Sequence, residues 1–386
     1  MHTYARQPVA FERGEGCWLW DENGTRYLDA LAGIAVCNIG HANPHVAAAI
    51  SEQANRLVHT SNLYGVPLQA ELAAALCRLS GLDKVFFGNS GAEANEAAIK
   101  ICRKFANDTG KQNARIIVMD GSFHGRTLAT LSATGNSKVK NGFHPLVEGF
   151  VHIPYDDIDS LQEIAGNDDS VVAVMLEPVQ GEGGVVVPAE GYLAAIREIC
   201  DQKNWLMVLD EVQTGMCRTG EWFAWQHADT RPDIMTLAKS LANGFPIGAC
   251  LVKDSIAEIM VPGTHASTFG GSPLASRAAL AVIEQMENHE IAARVAELGP
   301  GMLQLFREKL HDLDGVVDVR GLGLMIGIEL REDCADLVTR ALEKKILINV
   351  TAGKVVRLLP PLTISDEEML EIVDLVSQLI REHLEG

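Results

Sequence analysis

Through the middle of the chain, short apolar runs alternate with polar-faced segments of helix length. The runs within ARIIVMDGS (114–122), SVVAVMLEP (170–178) and NWLMVLDEV (204–212) are apolar at successive positions and stop at an acidic residue or a turn. A strand without alternation is covered on both faces, which predicts parallel strands sandwiched between helices. DKVFFGNSG (83–91) reads as a strand ending in a turn, followed by the helix AEANEAAIKICRKFAND (92–108), and AEGYLAAIREICDQK (189–203) is an amphipathic helix between two strands. This is an α/β pattern with a mostly parallel sheet. From about residue 275 a long helical stretch (273–310) gives way to short strands in VVDVRGLGLMIGIEL (316–330) and KVVRLLPPL (354–362). They alternate with helices in CADLVTRALEKK (334–345) and DEEMLEIVDLVSQLIREHL (366–384), as in a smaller α+β domain. The expected division is an N-terminal segment, 1–60, packing with the small domain, a large domain, 61–275, and the small domain, 276–386.

At 386 residues and 47% hydrophobic content the chain can bury a large core in two or three domains. Lys plus Arg is 32 against 51 for Asp plus Glu, a net charge of −19. That balance disfavours nucleic acid and anionic membranes as partners, and it requires any anionic ligand to be held by a few local cations and backbone amides. No signal-peptide core or membrane-length apolar run is read, so the cytoplasm is the expected compartment. The 8 cysteines form no CxxC pair and read as small core hydrophobes of a reducing compartment. No metal-ligand spacing emerges: in HANPH, Pro44 separates His41 from His45, and turn or capping roles suit them better. GLGLMIG (321–327) lacks the third glycine spacing of a dinucleotide fingerprint and runs on into a strand.

Three features carry candidate chemistry. Lys239, in TLAKSLANGFPIG, has no acidic neighbour in sequence; it is either a lysine snorkelling to the surface or an amine kept desolvated as a nucleophile or Schiff-base former. Ser90, Gly91 and Ala92 begin a helix after a strand, where free backbone N–H groups either are capped by Ser90 or bind a phosphate. Asp210 closes an apolar strand, where it is a cap or a partner for a heterocyclic nitrogen. Together they match the phosphate, ring nitrogen and aldehyde of pyridoxal 5′-phosphate.

The order NSGAEANEAAIK, SFHGRT, EPVQGEGG, LDEVQTGMCRTG, AKSLANGFPIGA, STFGGSPLA and VVRLLPPL resembles the fold type I, class III pyridoxal-phosphate aminotransferases, and within them the acetylornithine aminotransferases. The similarity runs from about GCWLWDENG to the end. It implies a seven-stranded large-domain sheet and a homodimer with shared active sites. It further implies that Lys239 bonds the cofactor aldehyde and moves the proton, that Asp210 pairs with the ring nitrogen, flanked by Glu211 and Val212 as cofactor contacts, and that Gln213 meets the ring hydroxyl. Phe123 would stack on the ring, with Ser90, Gly91 and Ala92 on the phosphate and Thr268 reaching it from the partner subunit. Arg126 and Ser267 would contact substrate, Arg126 taking the donor's remote carboxylate. Arg357 would bind the α-carboxylate of glutamate or 2-oxoglutarate, with Glu182 releasing it for that purpose. Without that context both arginines read as surface ion pairs.

The donor implied is N2-acetylornithine, with succinylornithine, ornithine, 4-aminobutyrate and other ω-amines as alternatives. Ornithine aminotransferases carry a tyrosine that helps hold the free α-amino end, and the matching position here is assigned to Ile34, which offers no hydrogen bond. Two departures from the family pattern stand out. Ala92 occupies a frequent threonine position, and Ser272 replaces the asparagine of GGNP; both imply tuned cofactor affinity.

Overall fold

The computed structural model describes residues 1–385. Seven strands form the large sheet in the order 84–88, 248–252, 234–237, 206–210, 171–176, 115–119, 150–153. From Ile234–Leu237 to Phe150–Ile153 every neighbouring pair is parallel, and Gly248–Val252 alone runs against its neighbours. Every residue of Val171–Leu176, Leu206–Asp210 and Ile234–Leu237 is buried, which is the physical reason for their unbroken apolar runs. Each buried Val, Leu or Ile side chain contributes about 1.5–3 kcal/mol of transfer free energy. Helix Gly91–Asp108 closes one face with Ala94, Ala97, Ala98, Ile101 and Cys102, and Ser90 Oγ caps it by accepting from Glu93 N at 3.2 Å.

The N-terminal strands Phe11–Glu15, Trp18–Asp21 and Arg26–Asp29 form an antiparallel meander whose free edge is completed by Ile346–Leu347, parallel to Arg26–Asp29. A third sheet, Val316–Leu322, Met325–Leu330, Val355–Leu358 and Asn349–Thr351, is antiparallel throughout. GLGLMIG spans the hairpin between its first two strands, with Gly323 and Leu324 as the turn. All 8 cysteines are free and six are buried, as expected of core residues. Asn43 in HANPH caps helix Pro44–Arg56, while His41 and His45 meet Asp29 and Glu284 at 2.7 Å each.

The C-terminal helical stretch differs from the sequence reading. The helical stretch 273–310 is two helices, Pro273–Asn288 and Ile291–Leu310, broken where Glu290 takes φ +47°. The first of them packs on Pro44–Arg56, Pro67–Ser80 and Lys239–Ala242. Within residues 1–60 the meander joins the strand at 346–347, and the helix Pro44–Arg56 faces Pro273–Asn288. Between these parts lies a left-handed turn of four successive residues, Ala32, Gly33, Ile34 and Ala35, with φ of 49°, 65°, 68° and 57°. Asp29 Oδ1 pins its entry by accepting from Leu31 N and Ala32 N, both at 2.9 Å.

Arg218 ties three regions together. Fully buried, it donates to Leu324 O (2.9 Å), Pro360 O (2.7 Å) and Asn38 Oδ1. With carbonyl oxygens instead of a carboxylate for company, burial pushes the guanidinium pKa down to about 9. Arg218→Met would leave these three acceptors without their donor, at roughly 1–3 kcal/mol for each that stays buried and unpaired. The expected outcome is a loss of about 3 kcal/mol or more, read in urea as a lower midpoint with an unchanged slope; a midpoint within experimental error of the parent would contradict this account.

Candidate active site

The parallel strands end on a common edge, and the loops leaving that edge enclose a cavity of about 400 Å³. Lys239, Asp210, Gln213, Val212, Phe123, Arg126, Ser90, Gly91 and Ala92 all line it. Each arrives by the local logic of its strand. Asp210 is the last residue of Leu206–Asp210, Ser90 follows Lys84–Gly88 and caps the next helix, and Lys239 opens the short 3-10 turn Lys239–Ala242 just after Ile234–Leu237. Lys239 has φ +44°, a left-handed conformation costing a side-chain-bearing residue about 1–3 kcal/mol, so the packing around it holds it there.

Asp210 is 3% exposed and fully engaged. Oδ2 accepts from Asn95 Nδ2 at 2.7 Å and lies 2.8 Å from His124 Nδ1, while Oδ1 accepts from Val212 N at 3.0 Å. Asn95 is itself fixed, donating to His124 O and accepting from Thr236 Oγ1. Lys239 is half-buried, and desolvation holds its amine below the ordinary lysine value. Glu182, Asp210 and Glu177 oppose that shift, and Arg357 adds to it.

Arg357 is fully buried against Gln213, and neither it nor Glu182 lines the cavity itself. Its Nη1 donates to Glu182 Oε1 at 2.7 Å and to Gln213 Oε1 at 3.3 Å, its Nε donates to Asn349 Oδ1 at 2.8 Å, and its Nη2 has no partner among the described residues. A buried guanidinium with both N–H groups of Nη2 unused, paired with a carboxylate that is 34% exposed, is suited to exchange that carboxylate for a ligand's. A Cβ at Gly181 would come within 2.3 Å of Gln213 Oε1, so a larger residue there would displace the Gln213 amide. Arg126 is exposed at the rim, 5.5 Å from the Phe123 ring centroid.

Several assignments change. Glu211 faces away from the cavity: its carboxylate accepts from Thr214 Oγ1, Ala224 N and Trp225 N, and burial raises its pKa to about 7. It caps the turn Ala224–Ala228 and does not line the cavity. Ser267 and Thr268 do not line this cavity; Ser267 Oγ accepts from Asn89 Nδ2 and Gly270 N, and Thr268 is exposed beside Phe269. Ile34 packs with Val179, Val185, Met325 and Leu359, and the member of its segment on the cavity wall is Val36. Ser272 caps helix Pro273–Asn288, a role it shares chemically with asparagine. Ala92 lies where a Cβ on Gly125 would be only 3.0 Å away.

Sequence reading also missed the carboxylate clamp formed by His124 and Asn95, and it missed Glu177. Glu177 lines the cavity, its Oε1 accepts from Phe123 N at 2.9 Å and its Oε2 from Gly181 N at 3.1 Å, while burial raises its pKa to about 7. His124 adjoins Phe123 in the motif FHGR, and Glu177 opens EPVQGEGG, so both were in view without a partner to give them meaning.

A fold with an open parallel sheet and a lysine, a carboxylate and a helix N-terminus at its carboxyl edge defines a class of transferases, and comparison places the chain within it. Residues 2–380 match the family model "Aminotransferase class-III", and the chain belongs to that family. It is 52% identical to an acetylornithine aminotransferase of Nitrosomonas europaea over all of this chain and 98% of that one. Among solved structures, it superposes on the ornithine aminotransferase of Toxoplasma gondii with a TM-score of 0.96 at 36% identity, covering 100% of this chain and 93% of that chain. With the N-acetylornithine aminotransferase of Stenotrophomonas maltophilia the TM-score is 0.86 at 38% identity, covering 99% and 98%. Enzymes of this family depend on pyridoxal 5′-phosphate.

The lowered pKa of Lys239 has a stability consequence. Between that value and the ordinary 10.5, the unfolded chain holds a proton that the folded chain has released, so stability rises with pH through this window. Below it, the folded state carries the full cost of a buried charge. Cofactor-free Lys239→Met is therefore expected to be more stable than the parent at pH 7 in urea denaturation, with the advantage narrowing as pH rises toward 10.5. A parent that is the more stable at pH 7 would refute the desolvation argument.

Proposed function

We propose that the protein is an aminotransferase dependent on pyridoxal 5′-phosphate that moves the δ-amino group of N2-acetylornithine to 2-oxoglutarate, giving N-acetylglutamate 5-semialdehyde and glutamate, as arginine biosynthesis requires. The observation that carries the reading is the meeting in one cavity of Lys239, the clamped carboxylate of Asp210 and the helix start at Ser90, with Arg357 and Glu182 paired alongside. The donor set fits the cofactor. Ser90, Gly91 and Ala92 offer N–H groups and a helix dipole to its phosphate, Asp210 an anion to its ring nitrogen, Gln213 a polar partner to its hydroxyl, and Phe123 and Val212 apolar contact. When bound, the cofactor supplies an aldehyde carbon for amines and a protonated ring that takes up the electron pair left when a substrate C–H loses its proton.

The chain's own residues do the rest. Lys239, with its proton affinity reduced by burial, accepts and returns the proton at the substrate carbon. Asp210, held in place by Asn95, His124 and Val212, would be the partner of the ring nitrogen. Arg126 at the rim takes the donor's carboxylate, and Glu182 neutralises Arg357 while that donor is present. For glutamate or 2-oxoglutarate, Glu182 withdraws and the Arg357 fork binds the α-carboxylate. One site thereby serves two substrates in a ping-pong cycle. We place the enzyme in the cytoplasm, without nucleic-acid or membrane partners.

The exposed surface near Thr268 carries Phe269, Leu63 and Tyr64 at 62%, 87% and 71% exposure, an apolar area suited to a second copy. We assign the working form to a homodimer in which Thr268 and Ser267 face the neighbouring site. Sedimentation should find only dimers or larger assemblies in the active fraction; full activity in a strictly monomeric fraction would defeat this.

Ornithine as donor is the second reading, favoured by the close backbone match to the Toxoplasma gondii enzyme. Against it, the 32–36 segment presents only Val36 to the cavity, which leaves a free α-ammonium without a partner there. Such a mismatch costs about 1–3 kcal/mol. N2-acetylornithine should therefore exceed ornithine by roughly ten- to a hundredfold in kcat/KM, at about 1.4 kcal/mol per tenfold. Initial rates of glutamate formation at matched subsaturating donor decide it: equal rates, or faster ornithine, would shift the assignment to an ornithine enzyme.

A further inference from the structure

The turn that carries Glu182 is gripped from the C-terminal sheet. Gly184 has φ +112°, and Val185, a β-branched residue, has φ +52°, a conformation such residues adopt only when neighbours impose it. The neighbour is Arg320 on Val316–Leu322. Its Nε donates to Val185 O at 3.0 Å and Gly184 O at 3.2 Å, and its Nη2 donates to Gly184 O at 2.7 Å. The guanidinium is steadied in turn by Glu329 Oε2 at 2.7 Å and Asp318 Oδ2 at 3.0 Å. A Cβ on Gly184 would stand 3.5 Å from Arg320 Nη2 and 3.2 Å from Val355, so the turn is bare where it is held. On the other side Thr351 Oγ1 donates to Glu182 O. The strand Val355–Leu358 bears Arg357 and pairs directly with Met325–Leu330, which pairs with the strand of Arg320. Glu182 and Arg357 are thus registered against each other through one small sheet.

We infer that Arg320, helped by Thr351, is a positioning residue for substrate choice: it fixes the turn so that Glu182 meets Arg357 whenever the ω-amine donor occupies the site. This rests on the proposed exchange of Glu182 for a substrate carboxylate. Loss of the clasp frees the turn, weakens the Glu182–Arg357 pair and leaves Arg357 open to α-carboxylates, which favours glutamate over the ω-amine donor. A planar fork is needed to reach two successive carbonyls, and a lysine ammonium is only a point donor.

The test uses holoenzyme and follows the two half reactions separately by the absorbance change of the bound cofactor, with N2-acetylornithine or glutamate alone as substrate. Arg320→Met should raise the ratio of kcat/KM for glutamate to that for N2-acetylornithine about five- to twentyfold, Arg320→Lys should fall between it and the parent, and Thr351→Val should move the ratio the same way by less. Glu182→Gln should raise the ratio too, and adding Arg320→Met to it should change the ratio less than twofold, since both act on one contact. Equal loss in both half reactions, or additive effects in the double variant, would overturn the inference. If Arg320→Met does not fold, an unchanged ratio in Thr351→Val decides against it. A ratio unmoved by Glu182→Gln would instead sink the exchange reading itself, whereas a response to Glu182→Gln alone would sink only the role of Arg320.

Discussion

Charge at the end of an apolar sheet is the constraint on which this structure depends. An unpaired ion there costs several kcal/mol, so the buried arginines and Asp210 in and around the site are supplied with partners drawn from distant parts of the chain. Asp210 is held by Asn95 and His124, Arg357 by Glu182, Gln213 and Asn349, and Arg218 by Asn38, Leu324 and Pro360. Lys239 is the exception: its surroundings resist protonation and leave its amine reactive. The same desolvation that weakens the fold locally prepares the chemistry.

The two carboxylates Glu177 and Glu211 show how environment divides like residues. Burial raises both to about 7, yet one touches the cavity and pins the backbone of Phe123 and Gly181, while the other supports a turn behind the sheet. Glu177 thereby connects the wall bearing Phe123 with the turn bearing Glu182. The site is better regarded as a set of loops cross-braced by buried polar groups than as separate contacts.

The large sheet was legible because a strand covered on both faces must be apolar throughout, and the runs at 171–176 and 206–210 show this directly. Lys239 and Ser90 were legible because each sits where its chemistry is locally unusual. Glu211 misled because neighbouring side chains leave a strand end in opposite directions, so adjacency to Asp210 implied the wrong face. Ile34 misled because four successive left-handed residues rotate the segment and bring Val36 to the cavity, and no propensity forecasts such a turn in Ala-Gly-Ile-Ala. The neighbours of helix Pro273–Asn288 were not legible, because its apolar stripe records that it is buried without recording against what.

The meander at the N-terminus has an implication for how the molecule comes into being. Its last strand, Arg26–Asp29, finds its outer neighbour only in Ile346–Leu347, near the other end of the chain. During synthesis the ribosome therefore releases this open strand edge 317 positions ahead of its cover, counting from Asp29 to Ile346. For most of translation that edge offers unpaired N–H and C=O groups to any extended segment nearby, including the same strand of another nascent copy. The nascent chain, more than the finished enzyme, is where the architecture leaves itself open to mispairing.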